Sequence, residues 1–138
     1  MKILSRILLI LLATALSVST LQAKKKQEAK TVYAFAIGTS LKDSTFYTTA
    51  ICALDSAVVN DKNHFLEDRS LYSYQLKVYL DKLYKTPHTC ALFFSTKRNK
   101  LDKQYTQLRR HYSRKVKDVR LVELPASDFK FINVNRKQ

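Results

Sequence analysis

Glycine is almost missing from this sequence: Gly38 is the single one in 138 residues. Phosphate-binding loops and dinucleotide fingerprints need several glycines, because the backbone must come close to the phosphate. A Gly-x-Ser-x-Gly nucleophile elbow is equally out of reach. Acidic side chains are also few, 11 against 25 Lys and Arg. Asp43, Asp55 and Asp68 are isolated from one another, and no spacing makes two of them a general acid/base pair. Asp43 reads instead as a turn residue. The three histidines, His64, His88 and His111, stand at no metal-ligand spacing from one another or from a cysteine. These positions point to no catalytic residue, no metal ligand and no cofactor.

Cysteine is scarce too, with only Cys52 and Cys90. Both fall in apolar, strand-like runs, where burial raises a thiol's pKa and leaves it inert. They form no Cys-x-x-Cys arrangement. In an exported chain they could pair as a structural disulfide, closing a loop of about 38 residues. A bond needs Cα atoms about 4.4–6.8 Å apart and suitably aimed Cβ vectors. Two unbonded thiols packed as small hydrophobes is the reading adopted, with the disulfide as its alternative.

What the chain does have begins with a targeting pattern. Lys2 and Arg6 make a basic start, Ile7 to Val18 an apolar run, and Leu21-Gln22-Ala23 a cleavage-like end. Residues 1–23 therefore read as a signal peptide, too short in its apolar part for a spanning helix of about 20 residues. Residues 24–30 read as a basic disordered tail, 31–134 as one domain, and 135–138 as a second disordered tail. The expected location is outside the cytoplasm, periplasmic or secreted in a bacterium.

Within the domain, apolar periodicity gives the elements. Thr31 to Gly38 reads as a strand with both faces apolar: bulky Tyr33, Phe35 and Ile37 on one, small Ala34 and Ala36 with Val32 on the other. Such a strand is covered on both sides, or lets a helix approach its small face. A polar turn at Lys42-Asp43-Ser44 leads to a second strand, Thr45 to Leu54, antiparallel to the first. Regular alternation places Phe46, Cys52 and Leu54 on one face.

Ser70 offers an N-cap for a helix that ends before Pro87. Its main stripe is Tyr72, Leu76, Tyr79, Leu80 and Leu83. A second stripe, Leu71, Tyr74 and Val78, is expected to lie under the loop 60–69, with contact to a partner as the alternative. Thr89 to Phe94 is a third strand, Lys97 to Lys115 a second helix, and Val119 to Leu124 a fourth strand. Phe129 to Val134 alternates like a short last strand. The order β-β-α-β-α-β-β predicts an α+β two-layer sandwich: one mixed sheet of 4–5 strands with two helices on one face. The third and fourth strands should run parallel.

The segments Tyr33-Ala34-Phe35-Ala36-Ile37-Gly38-Thr39-Ser40, Asp43-Ser44-Thr45 and Tyr72-Ser73-Tyr74-Gln75-Leu76 together resemble small exported bacterial proteins of unknown function. That resemblance implies export and brings no activity or site residues with it.

Charge supplies the functional expectation. The formal net charge is +14. Between Lys97 and Arg120 lie ten Lys or Arg and only two acids, Asp102 and Asp118. At 100° per residue, Leu101, Tyr105, Leu108 and Tyr112 share one side of the second helix. Lys100, Lys103, Arg110, Arg114 and Lys117 share the other. One reading is a solvated face that keeps the protein soluble. The other is a docking surface for an anionic envelope partner, a lipid headgroup or an acidic polysaccharide, or for another protein. The expectation is a non-enzymatic exported binding protein with no transmembrane span after residue 23. A nucleic-acid-binding protein is the alternative, disfavoured by the export signal. A small hydrolase ranks behind it, for want of a catalytic constellation.

Overall fold

The computed structural model describes residues 30–114 and 117–134. The segment expected to be a signal peptide (1–23), nearly all of the expected basic tail and the tail 135–138 lie outside the described residues. Among the described residues seven elements follow in order: β1 Val32–Thr39, β2 Thr45–Thr49, β3 Cys52–Leu54, α1 Arg69–Tyr84, β4 Thr89–Ser95, α2 Arg98–Arg114 and β5 Arg120–Leu124.

β1 is the centre of a mixed sheet. β4 pairs antiparallel along one of its edges, from Tyr33↔Ser95 to Thr39↔Thr89. β2 and then β3 pair antiparallel along the other, and β5 joins β2 in parallel. β4 and β5 therefore run in the same direction, as expected, with β1 and β2 between them. The turn after β1 is held by side chains: Ser40 Oγ accepts from Lys42 N–H at 3.2 Å, and Asp43 Oδ1 from Thr45 N–H at 3.0 Å.

β2 and β3 act as one strand broken by a bulge. Ile37 pairs with Thr48, yet Ala34 pairs with Cys52, so one extra residue lies in the second strand between the two pairings. The bulge is chemically closed. Thr49 Oγ1 accepts the Ala36 N–H at 2.9 Å, a buried donor that the interrupted ladder would otherwise strand. It also corrects the sequence reading of this strand. Phe46 and Thr48 point to one side of the sheet, Cys52 and Leu54 to the other, because one inserted residue flips every side chain after it.

The sheet is covered on both faces. Val32, Ala34 and Ala36 pack with Tyr72, Leu76 and Leu80 of α1. Phe35, on the opposite face, stacks on Phe93 at 5.0 Å and meets Tyr105 of α2 edge-on at 5.0 Å. The expected α+β class with one mixed sheet and two helices holds, but the helices lie on opposite faces rather than one. The cause lies in β1: its small residues admit α1 closely, and its bulky ones pack under α2. A Cβ on Gly38 would lie 2.5 Å from Leu80 Cδ1. The sole glycine is thus a close-approach position.

Three local expectations change. α1 begins at Arg69 behind Asp68, which takes a left-handed backbone (φ 56°), so Ser70 lies inside the helix rather than capping it. Residues 129–134 form no strand. They pack as irregular chain against α1, Phe129 on Tyr79 and Phe131 on Tyr72. The Gln75 amide gives and takes a hydrogen bond with the Ile132 backbone, at 2.8 and 2.9 Å, as a neighbouring strand would. Finally, the loop before α1 does not cover its second stripe. Leu71, Tyr74 and Val78 remain 47%, 58% and 46% exposed. The loop instead closes on itself, bridging Val59 to Leu66.

Candidate anionic-partner surface

α2 is built by its own periodicity. Leu101 is fully buried, and Tyr105, Leu108 and Tyr112 are half-buried on the same side. Tyr112 stacks on Phe46 at 3.8 Å, and the Tyr105 hydroxyl shares a hydrogen bond with Thr48 Oγ1 at 3.3 Å. These contacts fix the rotation of the helix on the sheet. Lys100, Lys103, Arg110 and Arg114 are consequently exposed, and Lys117 is exposed in the turn that follows. From Lys100 to Arg114 the cationic stripe runs about 21 Å, at 1.5 Å per residue.

Arg109 is tied to Glu123 of β5. Among the described residues, none of the five predicted cations has an ion-pair partner. The start of α2 also lacks an acid in its first turn, while Lys97, Arg98 and Lys100 crowd it. Cations at a helix N-terminus oppose the dipole, costing typically about 0.3–1 kcal/mol each. Helix stability therefore does not explain them. Arg98 gains one contact there, lying 5.7 Å over the Tyr33 ring.

Two grooves adjoin the helix. One, of about 700 Å³, is lined by Phe93 and by Gln104, Gln107, Leu108, His111 and the two arginines Arg110 and Arg114, among others. The other, about 650 Å³, lies at the helix start and includes Lys30, His64, Ser95, Thr96 and Lys100. Cation, amide and ring groups are thus brought together on one flank of α2. The sequence pattern indicated the cations but not the groove, because Phe93 arrives from β4.

A second polar cluster went unseen in the sequence. His88 has no exposed side-chain surface, and its Nδ1 meets Asp81 Oδ1 at 3.1 Å and the Thr86 carbonyl at 2.8 Å. Both partners accept, so Nδ1 carries the proton. The His88 backbone N–H also donates to Asp81, at 2.7 Å, and Lys77 bonds the other carboxylate oxygen at 2.6 Å. The Lys77 hydrogen bond, then those from His88, hold the Asp81 carboxyl below the usual range. An acid in the last turn of a helix opposes the dipole, and these partners explain it. The imidazole is sealed among Tyr47, Tyr84 and Asp81. The arrangement pins the entry of β4 to the end of α1.

The cysteines lie on the α1 side of the sheet, Cys52 opposite Ala34 and Cys90 opposite Gly38. Four residues along β1 and two strand spacings separate them, about 13 Å by about 9.5 Å. Both are free thiols. Burial raises the Cys52 pKa and pushes Cys90 up to about 11. Among the described residues, no three His, Cys, Asp or Glu could hold a metal ion, and no helix is long and apolar enough to cross a membrane. Comparison with protein-family models, curated proteins and solved structures finds no match.

Proposed function

We propose that the chain is an exported, non-enzymatic binding module that docks an anionic component of the cell envelope on the outer face of α2. The observation that carries this reading is the unpaired, exposed row Lys100, Lys103, Arg110 and Arg114, continued by Lys117. A merely solubilising face would gain from interspersed, paired acids, and among the described residues no acid forms an ion pair with this row. The basic, apolar start of the chain supports export.

The test is binding of a polyanion at rising salt. Electrostatic docking predicts affinity that falls linearly in log–log form with salt. Lys103→Ala/Arg110→Ala/Arg114→Ala should weaken it strongly and flatten that slope. Unchanged affinity in the triple variant would refute the surface. Export is checked separately, by an N-terminus near Lys24 on the protein recovered outside the cytoplasm.

A further inference from the structure

The groove on the flank of α2 deepens this reading, and the inference rests on it. Gln104, Gln107, Leu108 and His111 follow i, i+3, i+4, i+7 spacing, so they share one flank of the helix. Both glutamines are exposed. Phe93 lies in the same groove, half-buried, with one ring face stacked on Phe35 at an interplanar angle of 8°. Arg110 and Arg114 line the groove and also belong to the cationic row.

These groups have a joint chemistry. A primary amide offers both donor and acceptor, which suits a hydroxyl. An arginine fork suits a planar carboxylate or a sulfate. A partly exposed aromatic ring suits the C–H face of a sugar. We propose that the groove takes an acidic polysaccharide, its hydroxyls at Gln104 and Gln107 and its acid groups at Arg110 and Arg114.

The competing anions fit less well. A bilayer is a plane, and membrane-surface helices insert apolar side chains. The outer face of α2 presents Asn99, Lys103, Thr106, Arg110 and Ser113, all exposed and none apolar. Single-stranded nucleic acid is held on successive aromatic platforms. Tyr105 and Tyr112 are spent on Phe35 and Phe46, which leaves Phe93 alone.

The test titrates the full chain with an oligogalacturonate and a polyglutamate of equal charge, with an oligonucleotide and anionic vesicles alongside. The oligogalacturonate should bind at least about tenfold tighter than polyglutamate. Gln104→Ala/Gln107→Ala should abolish that margin and leave polyglutamate binding unchanged. Arg110→Ala/Arg114→Ala should weaken both. Equal binding of the two probes, with no effect of the glutamine variant, overturns the polysaccharide while leaving the basic docking face standing. Tighter binding of oligonucleotide or vesicles overturns it likewise. Failure of every polyanion to bind overturns the docking face itself.

Discussion

The Arg69 guanidinium donates twice to the Leu92 carbonyl, from Nε at 3.1 Å and from Nη2 at 2.7 Å. Leu92 lies opposite Ala36, whose N–H is turned to Thr49 on the far edge of β1. The Ala36–Leu92 pair is therefore not hydrogen-bonded across the strands, and the Leu92 carbonyl faces outward from edge strand β4. Edge strands invite pairing with other chains. Arg69 occupies the acceptor there and lies 5.5 Å over the Phe94 ring as well. Arg69→Ala should lower stability by about 1.5 kcal/mol, the low end for a charge-assisted bond. It should also raise concentration-dependent association. Urea titration and light scattering test the two effects, and a variant as monodisperse as the parent would refute the edge-protecting role.

The rotation of α2 gives a paired prediction. Tyr105 packs edge-on against Phe35 and bonds Thr48, so Tyr105→Ala should cost about 3 kcal/mol. Arg110 is exposed, and Arg110→Ala should change stability by less than about 0.5 kcal/mol. Denaturant midpoints with equal slopes decide it. The reverse ranking would mean that the helix faces the other way.

That rotation was legible in the sequence, because a helix on a sheet needs one apolar stripe and α2 has a single clean one. Which face of the sheet each helix takes was not legible. A stripe shows that a helix packs, whereas the face depends on the path of the connections. The two-sided apolarity of β1 was the available clue. The bulge between Thr49 and Cys52 left no mark, since both faces of that strand are apolar and a one-residue slip keeps the pattern intact. Phe129 and Phe131 imitated a strand because Gln75 supplies hydrogen bonds that a strand would supply. The cationic row was legible at Lys100, Lys103, Arg110 and Arg114, whereas Lys117 falls in the turn after α2. The groove beside it needed β4 placed in space.

Acid stability should depend on Asp81. Its folded pKa lies below the ordinary 3.8, chiefly through the Lys77 hydrogen bond. A depressed carboxyl contributes stability that is present above the unfolded pKa and lost as pH falls through the folded one. The melting temperature should therefore drop below about pH 4. Asp81→Asn should flatten this acid limb while lowering stability at neutral pH. An unchanged acid limb in the variant would show that Asp81 is not the linked group.

At the alkaline end, Tyr47 is pushed up to about 12, first by burial and then by its hydrogen bond with Tyr84. A raised pKa contributes stability that is fully present below the unfolded value of 10.0 and lost as pH rises towards 12. Tyr47→Phe should remove that part of the alkaline decline. Burial also raises Tyr72 and Tyr79, so spectrophotometric tyrosine titration should show one fewer late-ionising group in the variant than in the parent.

Both cysteines should titrate as thiols only once the chain unfolds. Burial keeps them protonated near neutral pH, with Cys90 at about 11, and the thiolate is the reactive form. Native protein should react slowly with a thiol reagent. Unfolded, unreduced protein should release two equivalents, one each from Cys52 and Cys90. No free thiol after unfolding would mean a bond that the strand register forbids.

The last prediction concerns the only glycine. At Gly38 a methyl group would stand 2.5 Å from Leu80 Cδ1 and 3.2 Å from Cys90 Sγ. The first distance is a clash, and the clashing atom is the end of a side chain. Leu80 has no exposed surface, so it cannot swing outward, and α1 must lift or Leu80 must leave its rotamer. Overpacking of this kind costs about 1–3 kcal/mol. Leu80→Ala alone should cost about 2–5 kcal/mol through the cavity it leaves. The two changes address one space, since the new methyl enters the volume that the shortened side chain vacates. The double variant Gly38→Ala/Leu80→Ala should therefore be more stable than the sum of the single effects allows. Additive losses would mean that β1 and α1 do not meet at this point, and that the small face of β1 serves some other purpose than close approach of the helix.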